Sequence, residues 1–175
     1  RTLIDTPILR STLVVFAPVL FAFGLWNVLL LPMAIRELNA TEFEYGLQEG
    51  VTSVGFVVGS LLMARYGDRL PEGTWMVAGT VLMGVFGILY GLATSIPIAI
   101  ILVMITGFLN SPMAIARRGL MQKNIPREMR GRVMSMVMLG SVGLAPISYA
   151  VAGAIVDLGP IPLMFGVAGA IVVAA

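Results

Sequence analysis

Residues 117–132 read RRGLMQKNIPREMRGR and carry six of the eleven Lys and Arg residues in the chain: Arg117, Arg118, Lys123, Arg127, Arg130 and Arg132. Long apolar segments lie on both sides of this stretch. Short loops rich in Lys and Arg stay on the cytoplasmic face of a membrane, because moving several cations through hydrocarbon costs far more than leaving them behind. Placing this loop inside gives every other segment a direction.

The composition supports the membrane reading. Hydrophobic residues make up 58% of the chain and charged residues only 11%, against about 25% charged in an average soluble domain. The fold class that follows is an all-α integral membrane protein. The net charge of +2 is small and offers no basis for binding nucleic acid. Cysteine and histidine are both absent, which excludes disulfides, thiolate metal sites and the usual imidazole chemistry. No nucleophile and base, metal-ligand cluster or phosphate loop stands out, so the reading is of a non-enzyme without catalytic residues, metal or cofactor. The chain opens on Arg1 without the features of a signal peptide and stops inside an apolar run at Ala175. It is therefore expected to be part of something longer.

Six spans are expected, over residues 11–35, 46–65, 73–92, 97–116, 133–156 and 161–175. The first is uncharged over about 25 residues, enough to cross about 30 Å of hydrocarbon. Residues 36–45 (RELNATEFEY) form a polar, mostly acidic connection in which Asn39-Ala40-Thr41 has the character of a loop and helix N-cap. Residues 73–116 carry no charge over twice the length of a span, and Ala93-Thr94-Ser95-Ile96-Pro97 divides them. Alternating spans put Arg1, Arg10, Arg65, Arg69 and the six basic residues already named on one side, leaving Arg36 alone opposite. The other side carries Glu37, Glu42, Glu44, Glu49 and Asp157.

An internal echo sits within these spans. Helices one and four contain Gly24-Leu25-Trp26-Asn27 and Gly107-Phe108-Leu109-Asn110, each followed within five residues by a proline. Each quartet lies in the first helix of a three-helix unit, and the two units enter the membrane from opposite sides, as in an inverted-topology repeat. A carboxamide in lipid is costly unless it is hydrogen-bonded, so Asn27 and Asn110 should face protein or a water-filled cavity, either as interhelical contacts or as substrate contacts. Trp26 can stack a flat molecule or serve as packing.

The chain resembles the C-terminal half, helices seven to twelve, of a major facilitator superfamily transporter, in particular the macrolide-efflux and siderophore-exporter branch. Residues 126–135 (PREMRGRVMS) are similar to the P-x-x-x-R-G-R-V-x-S stretch of that branch, and Ala145-Pro146, Ala152-Gly153 and Asp157-Leu158-Gly159-Pro160 extend the likeness. The family's loop signature, G-x-x-x-D-[RK]-x-G-[RK]-[RK], falls on residues 64–73. Asp68 and Arg69 match it there, while Ala64, Pro71, Glu72 and Gly73 depart from it.

The resemblance implies one half of a twelve-helix bundle built from two inverted three-helix repeats, and secondary active export of an amphipathic small molecule (drug, macrolide or siderophore) by alternating access. It implies a substrate cavity lined by Trp26, Asn27, Thr106, Asn110 and Ser111. Asp68, Arg69, Arg130, Gly131 and Arg132 would serve cytoplasmic gating, and Gly140, Gly143 and Pro146 the packing or bending of helix five. Lys123 and Arg127 are accounted for by topogenic charge and contact with anionic lipid. The implied partners are the lipid bilayer, an N-terminal six-helix half and the small substrate, in a plasma membrane such as the bacterial inner membrane. A proton gradient is the candidate driving force, yet no carboxylate lies near the midplane, and Glu49 is the deepest. A passive facilitator or channel, or a non-transporting sensor or assembly partner, are the alternatives.

Overall fold

The computed structural model describes residues 21–124, 130–157 and 159–174. Residues 11–20 of the expected first span, residues 125–129 of the basic loop, Arg127 among them, and Leu158 lie outside the described residues. Asp68, Arg130, Arg132 and Gly140 are described by their backbone alone.

The chain is helical in all its described elements. Helix α1 covers residues 21–32 and runs on into a π turn at Met33–Glu37. There Leu38 N–H donates to the Met33 carbonyl at 3.1 Å and Ala40 N–H to the Ala34 carbonyl at 2.9 Å. Asn39 follows with φ of 53°, in the left-handed region that asparagine tolerates better than most residues. That reversal delivers Thr41 to the start of α2, Glu42–Tyr66. Thr41 and Glu44 form a capping box in which each side chain accepts the other's backbone N–H, so the helix begins at Glu42, a turn earlier than the hydrophobic run would place it.

A short 3-10 turn, Gly67–Arg69, leads through Pro71 into α3, Glu72–Gly91. The Trp75 indole N–H donates to the Gly67 carbonyl at 3.2 Å, fastening this turn to the first turn of α3. After Leu92, α4 spans Ile96–Asn124. It passes the expected end at Ala116 and carries the first half of the basic stretch as helix. Charge ends a membrane span but not a helix, since the backbone hydrogen bonds need no lipid. Helix α5, Arg130–Ile155, and α6, Ile161–Ala174, complete the fold. Among the described residues, three helical segments are long and apolar enough to cross a membrane: Glu42–Tyr66, Glu72–Gly91 and Ile96–Gly119.

In lipid the hydrophobic effect does not drive helices together, so association rests on close packing and small residues. Glycines mark each main contact. Gly55 and Gly59 of α2 lie against the Met104 and Phe108 carbonyls of α4, and Gly107 of α4 against the Thr52 carbonyl of α2. A Cβ added to Gly84 of α3 would stand 2.8 Å from the Gly169 carbonyl of α6, and one added to Gly169 would stand 2.7 Å from the Gly84 carbonyl. Helix α1 meets α5 where Gly24 faces Ser148. Thus the first helix of each three-helix unit packs on the second helix of the other, and the two third helices pack on each other. The core formed between them includes Leu29, Met33, Tyr90, Val103 and Phe165.

Gly84→Ala and Gly169→Ala should each destabilise the full-length protein in detergent by about 1–3 kcal/mol, the usual cost of overpacking. Gly153→Ala, whose added Cβ would meet open space, should stay within about 0.5 kcal/mol of wild type. Thermal unfolding of the three variants checks this, and equal midpoints would contradict the backbone contact.

Candidate functional site

Two side chains fix the rotation of α1. Gly24 admits Ser148 of α5, and Trp26 lies in the gap left by Gly87 of α3. The Trp26 ring also meets Phe165 of α6 edge-on, with centroids 5.6 Å apart, and Phe165 in turn meets Tyr90 at 5.1 Å. With those faces committed, Asn27, Leu31 and Ile35 form an exposed stripe one helical turn apart. The Asn27 carboxamide donates to the Phe23 carbonyl at 2.8 Å, which leaves its oxygen and a second N–H available.

The expected cavity wall therefore divides. Trp26 is 7% exposed and enclosed by α3 and α6, so it is a packing residue here, not part of the open stripe. Thr106 is buried and its hydroxyl donates to the Val103 carbonyl of its own helix at 2.8 Å. Ser111 is buried and shares a 2.7 Å hydrogen bond with Ser60 of α2. Both hydroxyls are consumed by helix contacts. Asn110 is half-buried on α4, next to these spent groups, and its carboxamide makes no hydrogen bond among the described residues. Asn27 and Asn110 are thus the two expected wall residues with polar capacity to spare.

The basic end of the molecule is held by local pairs. Lys123, near the end of α4, binds the Glu72 carboxylate at the start of α3. That pairing accounts for Lys123 within the protein and adds to the topogenic role read from sequence. The Arg69 guanidinium sits 4.6 Å from the Tyr66 ring centroid, and Arg65 approaches the same ring at 5.7 Å, within the range of cation–π attraction. Asp68 belongs to the 3-10 turn, and Arg130, Gly131 and Arg132 form the first turn of α5. A Cβ at Gly131 or Gly143 would meet nothing, and Pro146 is exposed within α5. The expected close packing at Gly143 is therefore not made among the described residues. With Val142 and Ile147, Gly143 and Pro146 belong to an open face of α5.

At the acidic end, Arg36 in the π turn pairs with Asp157 between α5 and α6 at 2.6 Å. Arg36, the one basic residue expected on this side, thus finds its carboxylate 121 positions away in the chain. Glu49 is exposed and accepts from the Tyr45 hydroxyl at 3.4 Å. A second polar contact was also missed. Gln48 and Tyr90, both fully buried, are joined by a 2.9 Å hydrogen bond. The available signal was a glutamine inside an apolar span.

Among the described residues no group of acidic, cysteine or histidine side chains could hold a metal ion. Residues 12–175 match the family described as Major Facilitator Superfamily. The chain is 29% identical over 161 residues to Multidrug efflux pump Tap of Mycolicibacterium fortuitum, covering 87% of this chain and 37% of that protein. It is 32% identical over 78 residues to a Putative tartrate transporter of Agrobacterium vitis, covering 44% of this chain and 16% of that one. The chain thus spans well under half the length of these relatives. No solved structure matches it.

Trp26→Ala should destabilise the full-length protein by about 3–5 kcal/mol, as removal of a large buried ring does. Asn27→Ala, on the exposed stripe, should cost about 0.5 kcal/mol or less. Thermal unfolding of both in detergent would show a large fall for the first and almost none for the second. The reverse order would place the wrong face of α1 in the core.

Proposed function

The chain belongs to the Major Facilitator Superfamily, and from that premise we propose that it forms the C-terminal six-helix half of a secondary active transporter that exports amphipathic small molecules by alternating access. The observation that carries this reading is the division of polar side chains on the two central helices. Thr106 and Ser111 are spent on helix contacts, while Asn27 stands on the exposed stripe of α1 and Asn110 keeps an unused carboxamide on α4. An exposed carboxamide in mid-span is tolerated only where it meets water, a second protein face or a polar ligand. A second six-helix unit set against the open faces of α1 and α5 would close a cavity around it.

The remaining features fit that role. The basic end is placed in the cytoplasm, since short basic loops are retained there, and the membrane is the plasma membrane, of the bacterial inner type. The Asp68-Arg69 turn and Arg130-Gly131-Arg132 lie at that end, where a cytoplasmic gate would close. Pro146 and Gly143 on the open face of α5 suit a helix that meets the other half and bends. Gly140, of the same helix, is given the same packing or bending role by resemblance. The partners in this reading are the bilayer, the other six-helix half and the substrate, with no nucleic acid, no cofactor and no catalytic chemistry. A cavity edged by Leu31, Ile35 and two carboxamides suits a large, partly apolar molecule, and the efflux relative supports the same class. The coupling carboxylate is assigned to the other half, because Glu49 is exposed at the acidic end.

In inverted vesicles holding the full-length protein, a panel of macrolides, catecholate siderophores and lipophilic cations should include a compound accumulated only when a proton gradient is present. Asn27→Ala and Asn110→Ala should each lower that uptake about tenfold, the worth of a hydrogen bond to the substrate. Glu49→Gln should leave the gradient dependence intact. Flux that equilibrates and ignores the gradient would indicate a facilitator or channel, and absence of flux across the panel would favour a sensor or assembly partner.

A further inference from the structure

The Gln48–Tyr90 pair leaves something unpaired. Both side chains are fully buried, and the Tyr90 hydroxyl donates to Gln48 Oε1 at 2.9 Å. Gln48 Nε2, with two N–H groups, has no partner among the described residues. Turning the amide over does not help. Nε2 would then donate to the phenol oxygen, while the phenol O–H and the amide oxygen would both be left over. A buried donor without an acceptor bears the full penalty of having lost its water. A native helix bundle does not carry that cost when a small acceptor can relieve it.

The surroundings favour such a guest. Gln48 lies on α2 one turn from Thr52, whose hydroxyl donates back to the Gln48 carbonyl at 2.8 Å, so the backbone there is already satisfied. Tyr45, one turn the other way, packs against the core that holds Tyr90 and Met33, and its hydroxyl reaches Glu49 at the acidic surface. The π turn Met33–Glu37 of α1 abuts α2, and such turns recur beside functional sites. The Tyr45–Glu49 contact at the surface and the buried Gln48–Tyr90 contact thus arise from neighbouring positions of α2.

We propose that a single water molecule is bound at Gln48 Nε2, between α2 and α3 beneath the acidic end of the bundle, as an integral part of the fold. It accepts from the amide N–H and donates to the free lone pair of the Tyr90 hydroxyl, giving it the two polar partners that a buried water requires. About one such water per 27 residues is usual in proteins, so a chain of this length is expected to hold several. This position is the one where the unpaired group is visible. The site does not depend on the transport reading, since it lies inside the bundle and uses neither Asn27 nor Asn110.

Radiolytic hydroxyl labelling of the full-length protein in lipid nanodiscs tests this, with solvent water as the probe. Radicals formed from a bound water mark the side chains that touch it, even where bulk solvent does not reach. Tyr90, at 0% exposure, should be oxidised at a rate approaching that of exposed Phe43, at 79%. Met113, also buried at 7% and intrinsically more reactive, should stay silent. Gln48→Leu should lower Tyr90 oxidation about tenfold by removing the donor that holds the water. Tyr90 as silent as Met113 in the wild-type protein would overturn the proposal, and that comparison needs no variant to fold. Oxidation of Tyr90 that persists unchanged in Gln48→Leu would also overturn it, because solvent would then be arriving by another route.

Discussion

Backbone-to-backbone approach through glycine holds this bundle together. In water, burying leucines would pull the helices into contact; in lipid, acyl chains solvate leucine as well as another helix does, and what remains is dispersion between closely fitted surfaces. Gly55, Gly59 and Gly107 bring α2 and α4 to the point where side-chain-free surfaces touch, and Gly84 and Gly169 do the same for α3 and α6. Each of these contacts would be lost to a single methyl group. The core of Leu29, Met33, Tyr90 and Phe165 fills the space that those contacts define, so the glycine positions set the rotation of each helix and hence which residues point outward.

That rotation decides the site. Asn27 is exposed because Gly24 and Trp26 commit the neighbouring faces of α1 to α5, α3 and α6. The matched glycines of the two quartets, Gly24 and Gly107, meet the second helix of the opposite unit, α5 in one case and α2 in the other. Ion pairs follow a similar exchange: Arg36 near the end of α1 reaches Asp157 between α5 and α6, and Lys123 near the end of α4 reaches Glu72 beyond α2. A cation at the end of a helix is favoured by the helix dipole, so Arg36 and Lys123, each in the last turn of its element, sit where positive charge is already welcome. Exposed pairs of this kind contribute little stability; their meaning lies in their placement at opposite ends.

Much of this was legible in the sequence, and the exceptions have physical causes. Uncharged runs long enough to span a bilayer, the break at residues 93–97 and the GLWN and GFLN quartets could all be read, because length and periodicity are local properties. The start of α2 could be read less well: hydropathy begins at Gly46, whereas the helix begins with the Thr41–Glu44 capping box in polar surroundings. The end of α4 was misplaced for the same reason, since hydropathy reports the membrane and not the helix. Trp26, Thr106 and Ser111 could not be assigned from sequence because a polar or aromatic residue in a span can face a neighbour or a cavity, and the choice depends on which glycine stands opposite. Gly87, facing Trp26, is sixty-one positions away in the chain. The Gln48–Tyr90 pair was invisible for a similar reason, being a contact between separate helices.

The central claim is that the Asn27 stripe of α1 faces a water-accessible path while the opposite face is sealed. The described sequence contains no cysteine, which makes introduced thiols clean reporters within it. In the full-length protein in intact membranes, reaction of Asn27→Cys and Ser111→Cys with a small hydrophilic maleimide is the most direct test. The account predicts that the thiol at position 27 reacts readily and is protected by a transported compound, while the thiol at position 111 stays unreacted until the protein is denatured. An inert position 27 beside a reactive position 111 would contradict it, and would mean that α1 and α4 are rotated the other way.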